Sequence, residues 1–160
     1  MRVCPRCGAT HHPRTDPVVI MLVIDGDRVL LGRQPSWPQG RYSALAGFVA
    51  PGESLEEAVE REVLEEARLR VGAPVYEASQ PWPFPSSLML GFHVPWASGE
   101  PDASDDELQD ARWFSRAEIK AAARDDADDD WETPGDPGDE LRLPPRLAIA
   151  RRLIEAWLSR

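Results

Sequence analysis

The chain has 160 residues, of which 42% are hydrophobic and 29% charged, and its 18 basic and 28 acidic side chains leave a net charge of −10. That is the length of one domain, able to bury roughly two-thirds of its unfolded surface. No apolar run nears the roughly 20 residues needed to cross a bilayer, no signal-peptide pattern opens the chain, and no basic stripe is present, so a membrane protein, a secreted precursor and a dedicated nucleic-acid-binding module are set aside and the cytoplasm is expected.

Residues 1–15 hold the only two cysteines, Cys4 and Cys7, as Cys-Pro-Arg-Cys followed by Gly8. This is one knuckle of a zinc ribbon, two thiolates supplying half of a tetrahedral site. A redox Cys-x-x-Cys normally opens a helix, which the Pro- and Gly-rich text here does not favour. Three readings stay open: half a ribbon, a Zn²⁺ site completed by His11 and His12 or by a partner chain, and a bystander pair.

Residues 17–25 (PVVIMLVID) form a β-branched apolar run of strand length, and Asp25-Gly26-Asp27 is a hairpin signal returning through residues 28–33. Two short apolar stretches follow around Gly47, over residues 42–50. Ser54 with Glu57 makes a capping box, predicting a helix from Ser54 to about Ala67. Residues 69–78, 88–96 and 111–114 are further strand candidates. Residues 116–123 read as a short helix and 145–158 as a final amphipathic one. The order predicts an α/β (α+β) fold, a mixed sheet between helices.

The charge is unevenly placed. Residues 125–140 contain nine acids and no base, leaving one net negative charge on the other 144 residues. With a lone Trp131, that segment lacks the apolar surface to order itself and is expected to be a mobile, solvated loop.

The helix from Ser54 carries the chemistry. On a wheel of 100° per residue, Leu55, Ala58, Val59 and Val63 form an apolar stripe, with Glu62 and Glu66 in its middle and Glu65 on its flank. Glu56, Glu57 and Glu60 fall on the opposite face as ordinary solvated charges. Carboxylates one turn apart, about 6 Å between Cβ atoms, repel each other and resist burial unless something neutralises them. A hard divalent cation does so, and oxygen-only ligation favours Mg²⁺ or Mn²⁺. Arg61 is placed to pair along the helix with Glu57 and Glu65.

The wider spacing is more specific. Gly47, Glu53 and the run Arg61-Glu62-Val63-Leu64-Glu65-Glu66 match the Nudix box, and over residues 47–69 the chain resembles a Nudix hydrolase. One position departs: the family has Gly where this chain has Arg68, which implies a strain of about 1 kcal/mol or a differently closed turn. The resemblance implies a Nudix fold over residues 16–160, with residues 1–15 a remnant of a zinc ribbon. It implies metal binding by Glu62, Glu65 and Glu66, with Arg61 and Glu53 in the catalytic set, and attack of water on a pyrophosphate. Glu107, in Glu107-Leu108-x-x-Ala111-Arg112-Trp113-Phe114, matches a further acidic position that takes part in metal and substrate binding.

Ser79-Gln80-Pro81-Trp82-Pro83-Phe84-Pro85-Ser86-Ser87 is similar to the SQPWPFPxS array of NADH pyrophosphatases. Its prolines stiffen the chain and preset an aromatic wall suited to a flat ring; composition alone favours a core plug of Trp82 and Phe84, and the Nudix box ahead of the array favours the binding site. The resemblance implies substrate contacts from Phe48, Gln80, Trp82, Phe84, Ser87 and Ala150, cleavage of NADH or NAD⁺ to NMN(H) and AMP, and a homodimer. Six Trp, among them Trp37, Trp82 and Trp96, also suit an interface. Removal of NAD caps from RNA, action on other nucleotides, and a catalytically silent ligand sensor are the competing readings.

Overall fold

The structure, a computed structural model, describes residues 1–103, 107–125 and 141–160. The expected acidic loop of residues 125–140, Trp131 included, lies outside the described residues apart from Asp125.

Strands β1 (Arg2–Val3) and β2 (Thr10–His11) form a small antiparallel pair around the two cysteines. A seven-stranded sheet follows, made of β3 (Asp16–Asp25), β4 (Arg28–Arg33), β5 (Leu45–Phe48), β6 (Arg70–Val71), β7 (Val75–Trp82), β8 (Ser87–Ser98) and β9 (Asp110–Ser115). Its main path runs β6-β8-β3-β4-β9, with β5 added to β3 and β7 to β8. The β3–β8 pair is parallel and the other ladders are antiparallel, so the sheet is mixed as expected. Helix α1 (Leu55–Ala67) lies between β5 and β6; α2 (Arg116–Asp125) and α3 (Ile149–Leu158) follow β9.

The two-residue period of β3 explains the layers. Val19, Met21 and Val23 pack with Ala58, Val59, Val63 and Ala67 of α1. Ile20 and Leu22 pack with Ile119 of α2 and with Ile149, Leu153, Ile154 and Trp157 of α3. A run apolar at every position is what a strand buried on both faces requires, and no polar position interrupts residues 17–24. The sheet is therefore covered by α1 on one side and by α2 and α3 on the other. His93 on β8 donates from Nε2 to the Leu153 carbonyl at 2.8 Å, tying α3 to the sheet.

Two expected elements differ. The strand over residues 69–78 is broken into β6 and β7 by Gly72-Ala73-Pro74, where the proline has no N–H to give a ladder. The last helix starts at Ile149 rather than residue 145. Residues 145–148 form a turn closed by the Ala148 N–H on the Pro145 carbonyl at 2.9 Å. The Leu147 carbonyl, which a longer helix would use internally, instead accepts from the side chain of Gln80.

Candidate active site

The register of α1 is set at its first turn. The Ser54 hydroxyl accepts from the Glu57 N–H at 3.2 Å, and the Glu57 carboxylate accepts from the Ser54 N–H at 2.8 Å. This capping box fixes which helix positions meet the sheet. Glu62 and Glu66 do, with 8% and 3% of their surface exposed, whereas Glu56, Glu57 and Glu60 face solvent. Glu65 lies between the two faces, its side chain 57% exposed.

Burial of Glu62 depends on Gly47 of β5. A Cβ built on Gly47 would stand 1.9 Å from the Glu62 carboxyl carbon, so the carboxylate occupies the space that any other residue would need.

Arg61 ties the cluster together. Its Nε and one terminal nitrogen form a fork on Glu53 at 2.7 and 3.0 Å. The other terminal nitrogen donates to Glu62 at 2.8 Å and to Glu65 at 2.9 Å, and a fifth bond reaches the Phe48 carbonyl at 2.9 Å. A planar guanidinium can serve three carboxylates and a carbonyl at once; an ammonium cannot hold that geometry. The expected pairing with Glu65 is present, while Glu53, not Glu57, is the second main partner, because the capping box has taken Glu57.

Charge follows from this arrangement. Hydrogen bonds from Arg61 and from the Ala50 N–H hold the Glu53 carboxyl at about 2. Burial pushes the Glu62 carboxyl up; Arg61 opposes the rise, and the charges of Glu65 and Glu107 add to it. The carboxylates of Glu53, Glu62 and Glu65 thus gather on the Arg61 guanidinium, with Glu107 near enough for its charge to act on Glu62. That donor set is all oxygen and suits a hard divalent ion, which Glu62, Glu65, Glu66 and Glu107 would hold. Among the described residues, no three His, Cys, Asp or Glu side chains converge into a ready-made metal site, and Arg61 holds oxygens of Glu62 and Glu65.

The proline-rich array forms the tip of the β7–β8 hairpin, with Trp82 opposite Ser87. Trp82 is 44% and Phe84 73% exposed, and their rings meet edge to face with centroids 5.5 Å apart. Such exposure rules out the core-plug reading. Phe48, next to Gly47 on β5, is also exposed, and stands in the cross-strand row Phe48–Val18–Met89–Gln80. Residues in one row share a face, the face covered by α3. Consecutive residues of β5 thus send Gly47 to the carboxylates and Phe48 to the aromatic side. Three strand spacings, about 14 Å, separate Phe48 from Gln80 within the chain.

Gln80 and Ala150 are placed differently from the other expected substrate residues. Gln80 bonds the start of α3 through both ends of its amide. Ala150, in the first turn of α3, is 3% exposed and faces the core. Sequence reading missed the Phe48 and Leu147 carbonyls as partners of Arg61 and Gln80, since a backbone acceptor leaves no signature in residue identity.

At the N-terminus, the Gly8 N–H bonds the Cys4 carbonyl at 2.9 Å and the Cys4 N–H bonds the Ala9 carbonyl at 2.8 Å, closing a tight knuckle. Backbone N–H groups of Cys7 and Arg6 lower the Cys4 thiol. His11 and His12 do not join the two cysteines in a set of three or more ligands among the described residues.

The Nudix domain family matches residues 14–134. Among curated proteins, the NAD-capped RNA hydrolase NudC of Stutzerimonas stutzeri (strain A1501) is 46% identical over 98% of this chain and 49% of its own length. Its namesake from Mycobacterium tuberculosis (strain H37Rv) is 48% identical over 99% of this chain and 50% of its own length. The chain therefore spans about half the length of these relatives. Among solved structures, a Nudix hydrolase from Nitrosomonas europaea superposes with a TM-score of 0.61 at 27% identity, covering 72% of this chain and 66% of that one. A second structure from the same organism reaches 0.64 at 24% identity over 91% and 90%.

Proposed function

The chain belongs to the Nudix family, and on that premise we propose that it is a hydrolase that cleaves the pyrophosphate of NAD(H), free or as the 5′ cap of an RNA, releasing AMP or a 5′-phosphorylated RNA and the nicotinamide mononucleotide. The observation that carries this reading is the exposed Trp82–Phe84 wall on a proline-stiffened hairpin. A preset aromatic surface gives a flat ring a stacking site at little ordering cost, and the names of the half-matching relatives point to the same substrate class.

In the chemical step, Arg61 holds Glu53, Glu62 and Glu65 in place, and the buried Glu62 and Glu66 would act through the metal on the reacting phosphates. A divalent cation, Mg²⁺ or Mn²⁺, held by Glu62, Glu65, Glu66 and Glu107 would neutralise phosphate oxygens and lower the pKa of an attacking water. One of the α1 carboxylates accepts the proton of that water. Trp82 and Phe84 hold the ring, with Ser87 opposite Trp82 at the hairpin tip.

A homodimer fits the same reading. Phe48 is exposed and remote from the hairpin array of its own chain, so a second copy would bring the two aromatic groups together, in the cytoplasm as the proposed setting. The knuckle of Cys4 and Cys7 supports half of a Zn²⁺ site. A panel of NADH, NAD⁺, NAD-capped RNA and nucleoside triphosphates with Mn²⁺, followed by product identification, tests the substrate. Equal turnover of NADH and a nucleoside triphosphate removes the dinucleotide assignment.

A further inference from the structure

Resting on the reading of Trp82 and Phe84 as the ring-binding wall, we infer that Gln80 is a positioning residue: its side-chain amide splints the hairpin to the first turn of α3, setting the aromatic wall against Leu147 rather than touching the substrate.

Both ends of the amide are spent on backbone 67 and 69 residues away. Nε2 donates to the Leu147 carbonyl at 2.7 Å, and Oε1 accepts from the Ile149 N–H at 2.7 Å. Helix α3 needs this partner. Its N-cap is Ala148, which has no side-chain acceptor to offer, and the first N–H groups of a helix find none within the helix itself. Gln80 thus caps α3 from the neighbouring strand, replacing the Ser, Thr, Asn or Asp that usually stands at the cap position.

The splint lies at a place where small shifts would matter. Trp82 is two residues beyond Gln80 on the same strand face, so the two side chains move together. Leu147, on the other side of the splint, is 84% exposed, although it is a large apolar residue. Beside the splint is a cleft of about 190 Å³ lined by Gln80, Pro81, Leu147 and Ile149 among others. Deeper down, a Cβ on Gly91 would stand 3.0 Å from Ile149 Cδ1, so the helix body is seated tightly while its first turn depends on Gln80. A donor and an acceptor at fixed separation read a carbonyl and an N–H two residues apart; Gln offers both, and no charged side chain does.

The test uses the ligand-free protein first, by amide hydrogen exchange of Ile149, and then steady-state kinetics with NADH. In Gln80→Ala the Ile149 amide should exchange about tenfold faster or more, because its acceptor is gone. KM for NADH should rise about tenfold while kcat stays within about threefold, the pattern of a displaced binding wall. Gln80→Glu keeps an acceptor at the helix start, where a carboxylate is favoured. It should restore Ile149 protection but only part of KM, because the Leu147 carbonyl loses its donor. Unchanged Ile149 exchange in Gln80→Ala overturns the splint. So does a Gln80→Glu variant with Ile149 protected but KM as poor as in Gln80→Ala, since the amide would then be contacting substrate. If Gln80→Ala does not fold, Gln80→Glu decides by the same two readouts. If the wild-type protein leaves NADH intact, the functional reading fails, and Ile149 exchange still decides the splint.

Discussion

Gly47 and Glu62 fill one space: the carboxyl carbon of Glu62 lies 1.9 Å from where a Cβ on Gly47 would stand. The box glycine is therefore a steric condition for seating the Glu62 carboxylate. Gly47→Ala should expel Glu62 from its place against β5, leaving the fold intact but lowering kcat by about 100-fold, the scale of losing one preorganised electrostatic contact. Circular dichroism and NADH kinetics on the same sample check it. A variant with near-normal kcat would mean that Glu62 works from a different position.

The Glu53–Arg61 fork has a signature in pH. Glu53 sits at about 2, below its ordinary 4.5, because Arg61 and the Ala50 N–H bond its charged form. The folded state thus binds this proton less readily than the unfolded chain. Its contribution to stability is complete above about 4.5 and is lost as pH falls towards about 2. Urea midpoints across that window should fall less steeply for Glu53→Gln than for the unaltered protein. Parallel curves would show that the fork adds nothing to stability.

Arg68 ends α1 with φ 58° and ψ 20°, the left-handed conformation that costs a residue with a Cβ roughly 1 kcal/mol. Arg68→Gly should recover about that much and raise Tm by about 2–4 °C for a domain of this size. Calorimetry settles the point, and a lower Tm would show that the Arg68 side chain makes a contact worth more than the strain.

The carboxylate cluster of the candidate site was legible in the sequence because it is local. Ser54, Glu57, Arg61, Glu62, Glu65 and Glu66 lie within 13 consecutive residues, and helical geometry alone places Glu62 and Glu66 on the buried face. Relations between distant segments were not. That Arg61 would choose Glu53 over Glu57 depends on the capping box having already used Glu57. That the last helix would start at Ile149 depends on Gln80, far away in the chain and brought near only by the sheet. The mixed sheet could be expected from the order of elements, but the parallel β3–β8 pairing follows from the whole topology.

Trp82→Ala should weaken binding of dinucleotides, since a stacked ring holds ground and transition states alike. The expected loss is about 1–3 kcal/mol, appearing mainly in KM. With the side chain 44% exposed, the variant should remain folded. A loss confined to kcat would place Trp82 outside the ring-binding wall.

The most direct measurement is NADH turnover with Mn²⁺ by the unaltered protein and by Glu66→Gln, with products separated and identified. Glu66 is 3% exposed on the inner face of α1, so the amide keeps its shape while removing a charge. The expected result is AMP and NMNH from the unaltered protein, with kcat in Glu66→Gln lower by about 100-fold or more. A Glu66→Gln protein that cleaves NADH at a near-normal rate, or an unaltered one that leaves it whole, would contradict the assignment.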